Sequence, residues 1–329
     1  YRILVCVTIL QALMNPIASL VLIRINGGTA MMRILGIVGV QVCICVPIIV
    51  FQFCKGKEFF SKEYWGYALR IGIPIVPHYL SGIILNQGDR IMIDKMVGKT
   101  EVALYGLAYS IGMLVQLFIS GMNSALTPWM YSKIKKGDIR SMRKVLQLLS
   151  IVVVGIAVAL MLISPEMVLI FGSPKYREAV YVIPPVAASV FFIFIYNILS
   201  MPQFYYEKTQ FLMAASMAAA GANVVLNFIF IRLFGYIAAG YTTLACYMLY
   251  SVGHYIVSKQ ILVNEGIQEN LMNPGFLLAC SVFLIGASII CNLIFPYRIL
   301  RYAILLASAG LVFWKKELLL KTMADIRKK

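Results

Sequence analysis

In and just beyond an apolar run over residues 67–93 stand five groups that hydrocarbon tolerates poorly: Asn86, Gln87, Asp89, Arg90 and Asp94. An ionisable side chain inside a membrane span costs roughly 2.5 to 3.5 kcal/mol even on the lenient insertion scale, so such groups face a protein interior or a wet cavity. Asn86, Arg90 and Asp94 recur every fourth residue and share one helix face, with Asp89 about 100° round from Arg90. Two readings stand side by side. In one, Asp89 and Asp94 neutralise Arg90 and the cluster fastens this helix to its neighbours. In the other, Arg90 faces a central cavity and pairs with an anionic substrate, while Asp89 and Asp94 act in coupling to protons or a cation. A guanidinium suits the second role because its planar fork meets two phosphate oxygens at once.

The same run contains Pro74 and Pro77, which free the carbonyls of Arg70 and Ile73 and make the segment a candidate hinge. His78, beside those carbonyls, either donates to one of them or takes part in proton coupling. In the next run Gln116, Ser120, Asn123 and Thr127 form a polar stripe at spacings of three and four. That stripe suits a water-filled cavity or a helix contact. Asn197 and Gln203 flank Pro202; Asn223 and Asn227 mark one face of a run rich in small residues from Ala214 to Ala222, where packing is expected. Glu166, after Pro165, reads as a solvated residue near the end of a span.

The chain that must position these residues has 329 residues, 61% hydrophobic and 13% charged. Its apolar residues come in ten runs, near 3–23, 32–53, 67–93, 102–130, 145–171, 179–205, 210–231, 236–258, 276–295 and 299–314. Runs of this length match a hydrocarbon core about 30 Å thick, so the expected fold is an all-α integral membrane protein with about ten transmembrane helices. The connections alternate in charge. Lys55, Lys57 and Lys62, the run Lys133 to Lys144, Lys208, Lys259 and the tail 315–329 fall on one side with Arg2, and the sparser basic residues, Arg24 and Arg301 among them, fall on the other. The bias places the denser side, with both ends of the chain, in the cytoplasm. Tyr64, Trp65, Tyr67, Trp129, Tyr131, Tyr205, Tyr206 and Trp314 stand where spans meet headgroups.

Several functions are excluded on this basis. The net charge of +16 sits between apolar runs and marks topology, so no nucleic-acid partner is expected. No connection exceeds about fifteen residues, which leaves no room for a soluble catalytic domain. Gly27 and Gly28 belong to no GxxxxGK[ST] pattern, and His78 and His254 sit in no HExxH or Ser/His/Asp arrangement. No metal, no cofactor and no enzymatic activity are expected. The seven cysteines read as small buried hydrophobes.

The run from Gly72-Ile73-Pro74 through Asn86-Gln87-Gly88-Asp89-Arg90 to Gly98, Glu101, Tyr105, Gly106 and Ala108-Tyr109-Ser110, closing with Asn123 and Pro128, resembles the seventh and eighth helices of Wzx-type oligosaccharide flippases. These are relatives of the MATE exporters and the lipid II flippases. A second block, Ala222-Asn223, Leu226-Asn227 and Gly235 to Thr243, is similar to the eleventh and twelfth helices of that family. The resemblance implies a MATE-like fold of two six-helix lobes around a central cavity, often followed by two extra helices. The first four helices would then be absent from this chain. Residues 1–54 would finish the first lobe, 66–258 would form the second, 276–314 the extra pair, and 315–329 a basic cytoplasmic tail.

The resemblance further implies a flippase that moves a lipid-pyrophosphate-linked oligosaccharide across the bacterial inner membrane by alternating access. Its partners would be the polyprenyl-pyrophosphate glycan, the bilayer and the polysaccharide polymerase machinery. Arg90 is the match to the cationic cavity residues of the family, with Arg24 and Arg70 as weaker ones; Asn86, Gln116 and Asn123 complete the expected substrate contacts. A cation-coupled multidrug exporter of the same fold is the alternative.

Overall fold

The structure, a computed structural model, describes residues 2–25, 30–57 and 60–314. Gly27, Gly28, the tail 315–329 and the side chains of Arg2 and Trp314 fall outside the described residues. The described chain is helical throughout, as α1 Arg2–Ile25, α2 Ala30–Gly56, α3 Lys62–Met96, α4 Lys99–Gly112, α5 Leu114–Lys135, α6 Ile139–Phe171, α7 Ile183–Tyr205, α8 Thr209–Phe234, α9 Ile237–Asn264, α10 Pro274–Ile294 and α11 Arg298–Trp314. It forms two compact units that divide within α3, between Leu69 and Arg70.

Among the described residues eight helical segments are long and apolar enough to cross a membrane, counting α4 with α5 as one span and the 3₁₀ turn Pro174–Val182 with α7 as another. α11 misses that standard at 17 residues. α9 misses it for a different reason: its buried face carries Thr242, Thr243, Tyr247, Tyr250, Ser251 and His254. A helix that packs polar groups inward loses hydropathy without leaving the membrane.

In the first unit, α1 packs along α2. Gly36 permits this, since a Cβ there would stand 2.6 Å from the Cα of Ser19, and Ser19 donates to the Arg33 carbonyl at 3.2 Å. Cys6, Cys43, Cys45 and Cys54 are exposed, whereas Cys246 and Cys291 are buried and Cys280 is intermediate. The expectation that all seven are buried is therefore corrected for four of them. They lie on apolar helix surfaces that suit lipid, where a small thiol needs no protein cover.

The second unit is built around α7, of whose 23 residues 18 are buried. A helix apolar on every side must be enclosed on every side, and α7 packs against α4, α5, α6, α9 and α10. The fourth apolar run, expected as one helix, is interrupted at Met113 between α4 and α5. At the break a Cβ on Gly112 would meet Val186 Cγ1 at 2.7 Å, so α7 comes closest to this strand of the chain where only glycine fits. Helix ends follow local chemistry. Asp138 accepts from the Ser141 amide at the start of α6 (3.3 Å), Asn273 accepts from the Gly275 amide at the start of α10 (2.9 Å), and Gly235 closes α8 at φ +74°.

Glu166 is not a solvated residue. Arg301 of α11, 2% exposed, donates from two nitrogens to both Glu166 oxygens at 2.7 Å each and to the Leu162 carbonyl at 2.6 Å. This bidentate pair fixes α11 to α6. The reason the sequence misleads is that the partner lies 135 residues away on the last helix.

Candidate functional site

α3 presents Ser81, Leu85, Asp89 and Ile93 as its buried stripe, one residue per turn. Asp89 on that stripe is fully buried and accepts three hydrogen bonds. Tyr105 of α4 and Thr243 of α9 donate to Oδ2 at 2.5 and 2.6 Å, and Asn227 of α8 donates to Oδ1 at 2.5 Å. Asn227 is itself held by Asn223, which accepts at 3.2 Å, and by Thr242, which donates to its carbonyl oxygen. One carboxylate thus gathers side chains from three other helices. Asn223 and Asn227, expected as packing residues, do pack, but as polar partners of Asp89.

Arg90 follows directly on the chain and points elsewhere, because the 100° step of a helix moves it off the buried stripe. Half-buried, it lines a cavity of about 760 Å³ together with Asn86, Gln87, Tyr109 and Ser110. One guanidinium nitrogen donates to Gln87 Oε1 at 2.7 Å, and the guanidinium carbon lies 5.1 Å from the centre of the Tyr109 ring. Its Nε finds no hydrogen-bond partner among the described residues. Among the described residues Arg90 makes no ion pair, and the ion pairs that do occur are Lys133–Asp138, Arg143–Glu269 and Arg301–Glu166. Asp94, one turn beyond Arg90, is exposed. The neutralised cluster that the spacing allowed is thus not formed: Asp89 is taken up by neutral donors and Arg90 keeps its charge for the cavity.

Asn86 joins the two neighbourhoods. Its Oδ1 accepts from Tyr109 at 2.8 Å and from Tyr247 at 3.4 Å, while its Nδ2 donates to the Gly82 carbonyl at 2.7 Å. Toward the proline end of α3 the cavity is bounded by His78, Tyr79, Tyr196, Asn197, Phe204 and Tyr250. His78 Nδ1 shares a hydrogen bond with Tyr250 Oη at 3.1 Å, rather than with a carbonyl freed by the prolines. Tyr250 packs 4.4 Å from Tyr196 and 4.5 Å from His254, ring centre to ring centre. His254 is buried and hydrogen-bonded to Gln203 at 2.8 Å.

Gln116, Asn123 and Arg70 are not among the residues that line this cavity. Gln116 and Asn123 sit on α5; Gln116 Oε1 has no partner among the described residues, and the Asn123 carbonyl accepts from Thr127 at 2.8 Å. Arg70 is exposed at the head of the second unit, and Arg24 is exposed at the end of α1 in the first. Pro74 is buried and Pro77 half-buried within α3, which continues through both. Among the described residues no group of three His, Cys, Asp or Glu side chains could hold a metal ion. Sequence reasoning missed the aromatic and hydroxyl partners Tyr196, Tyr247 and Tyr250. A signal was there: Thr243, Tyr247, Tyr250 and His254 recur at four, three and four residues and so mark one face of α9.

Comparison with known proteins converges on this part of the chain. Residues 2–135 match the family described as "Polysaccharide biosynthesis protein" and residues 74–229 match the family "MatE", so the two overlap across α3, α4 and α5. The "Lsg locus putative protein 1" of Haemophilus influenzae is 28% identical over 172 residues, 49% of this chain and 41% of that protein. An "Uncharacterized membrane protein" of the same organism is 29% identical over 191 residues, 54% of this chain and 46% of that protein. The chain therefore aligns with less than half the length of these relatives. In fold it is similar to the solved structure of "Lipid II flippase MurJ, inward closed conformation", with a TM-score of 0.62 and 13% identity over 93% of this chain and 67% of the other. The chain is an all-α integral membrane protein with a MurJ-like flippase fold, and parts of its sequence match the "Polysaccharide biosynthesis protein" and "MatE" family models.

Proposed function

We propose that the protein is a flippase that carries a lipid-pyrophosphate-linked oligosaccharide across the bacterial cytoplasmic membrane by alternating access. One observation carries the reading: Arg90 stands on a roomy cavity with polar groups in its lining, and among the described residues no carboxylate pairs with it. A charged guanidinium beside a cavity within an apolar bundle is costly unless an anion visits it. A pyrophosphate supplies such an anion, and its oxygens fit the guanidinium fork. The prenyl tail stays in lipid while the headgroup crosses. Asp89 is the coupling group in this reading, a buried carboxylate whose net charge calls for a proton or a cation during the cycle, and Pro74 and Pro77 let α3 bend as the cavity changes sides. The family's lobe boundaries at 54, 66 and 258 and the cytoplasmic placement of the basic connections belong to the same proposal.

The exporter reading has one observation in its favour, the aromatic end of the cavity, which could stack an organic cation. Against it, among the described residues no Asp or Glu lines the cavity, and Arg90 brings a positive charge to it. Deleting the gene separates the two. The flippase predicts lipid-linked oligosaccharide trapped on the inner leaflet and loss of surface glycan. Drug hypersensitivity with normal surface glycan would contradict it and favour the exporter.

A further inference from the structure

The cavity has two chemically different ends. His78 and Arg90 are twelve residues apart on α3, which places them about 18 Å apart along the helix axis at 1.5 Å per residue. The Arg90 end holds the charge. The other end offers the rings of Tyr79, 66% exposed, and half-buried Phe204, backed by Tyr196 and the buried Tyr250, and the lining there also includes Asn197 and Ser200. These rings are already braced. Tyr250 is hydrogen-bonded to His78, and Tyr196 lies 4.4 Å from Tyr250 and 6.2 Å from Tyr247, ring centre to ring centre, its ring 8° from parallel to the latter.

We infer that this end is a sugar-stacking subsite, so that the cavity reads a glycan at one end while it holds phosphate at the other; the inference rests on the flippase reading. A pyranose ring has one face of C–H groups that carry partial positive charge and an edge of hydroxyls. The C–H face suits the negative face of an aromatic ring, and the hydroxyl edge suits amides and hydroxyls such as those of Asn197 and Ser200. A cationic ligand would find no carboxylate at this end among the described residues. An 18 Å separation suits a pyrophosphate followed by more than one sugar, which makes the subsite a reader of sugars beyond the first or of the first in a bent pose. Stacking tolerates many sugars, since it engages the shared C–H face and not the pattern of hydroxyls.

The test compares two probes on the purified protein in lipid nanodiscs by calorimetric titration: a short-chain prenyl pyrophosphate, and the same molecule bearing an N-acetylglucosamine disaccharide. Tyr79→Ala and Phe204→Leu should weaken the sugar-bearing probe about threefold to tenfold each and leave the bare pyrophosphate unchanged. Arg90→Ala should weaken both. Equal losses for both probes in the ring variants, or no loss in either, overturn the subsite and leave the flippase standing. If neither probe binds the wild type while a cationic dye does, the flippase reading itself falls, and this inference with it. Tyr79 makes no hydrogen bond among the described residues and is mostly exposed, so its truncation leaves the fold intact and the comparison decisive.

Discussion

Replacing Tyr105 with Phe is the sharpest probe of how α3 is held. The ring is fully buried and lies 5.8 Å from the Tyr109 ring, and both features survive the substitution. Only the hydroxyl that donates to Asp89 Oδ2 at 2.5 Å is lost. Polar contacts between membrane helices average about 0.6 kcal/mol and reach about 1.7, while a hydrogen bond to a charged group contributes about 1.5 to 3 kcal/mol. Asp89 has three donors from neutral residues, and among the described residues no cation pairs with it. Each donor therefore satisfies lone pairs of a fully buried carboxyl, and Tyr105→Phe is expected to cost about 1 to 3 kcal/mol in equilibrium unfolding from mixed SDS micelles. Thr243 donates to the same oxygen, so Tyr105→Phe with Thr243→Val leaves Oδ2 bare and should cost more than the sum of the two. A Tyr105→Phe protein that unfolds within about 0.5 kcal/mol of wild type would refute the reasoning, since the hydroxyl would then contribute no more than a surface group.

Three further outcomes follow from other parts of the molecule. Breaking the Arg301–Glu166 pair from one side, with Glu166→Leu, leaves Arg301 without its carboxylate and should destabilise the docking of α11 by about 1 to 3 kcal/mol, and the double replacement Glu166→Leu with Arg301→Leu should recover most of that loss in the same unfolding assay. Gly112→Ala should cost about 1 to 3 kcal/mol, because its Cβ would meet Val186 Cγ1 at 2.7 Å and Cβ at 2.9 Å, and Val186→Ala, which removes only the first contact, should relieve part of the loss in a thermal-shift measurement. Reporter fusions placed after Lys136 and after Gly235 should report opposite sides of the membrane, with Lys136 cytoplasmic; the reverse would invert the orientation drawn from the basic residues.

The membrane architecture was legible in the sequence because apolar run length is a direct image of bilayer thickness. The candidate site was legible in part. Spacing alone put Asp89 about 100° from Arg90, and that offset separates a packing stripe from a cavity face. What spacing does not reveal is which face meets which neighbour. The partners of Asp89 lie 16, 138 and 154 residues away, and that of Glu166 lies 135 away. Hence a cluster that reads as locally paired can be split in the fold, and a residue that reads as solvated can be clamped. The break at Met113 was hidden for a similar reason: the local sequence is apolar on both sides, and the close approach of Val186 to Gly112 is a tertiary event. α9 was recognised as a span by its length, but its row of Thr243, Tyr247, Tyr250 and His254 shows its purpose only once α3 is in place.

The most direct test of the account is transport by Arg90 variants. Proteoliposomes loaded with polyprenyl-pyrophosphate-linked oligosaccharide from the native host report leaflet exchange through accessibility to an added glycosidase. The account predicts loss of exchange in Arg90→Ala and partial retention in Arg90→Lys, since an ammonium keeps the charge without the two-pronged contact to phosphate. Exchange at the wild-type rate in Arg90→Ala would contradict it.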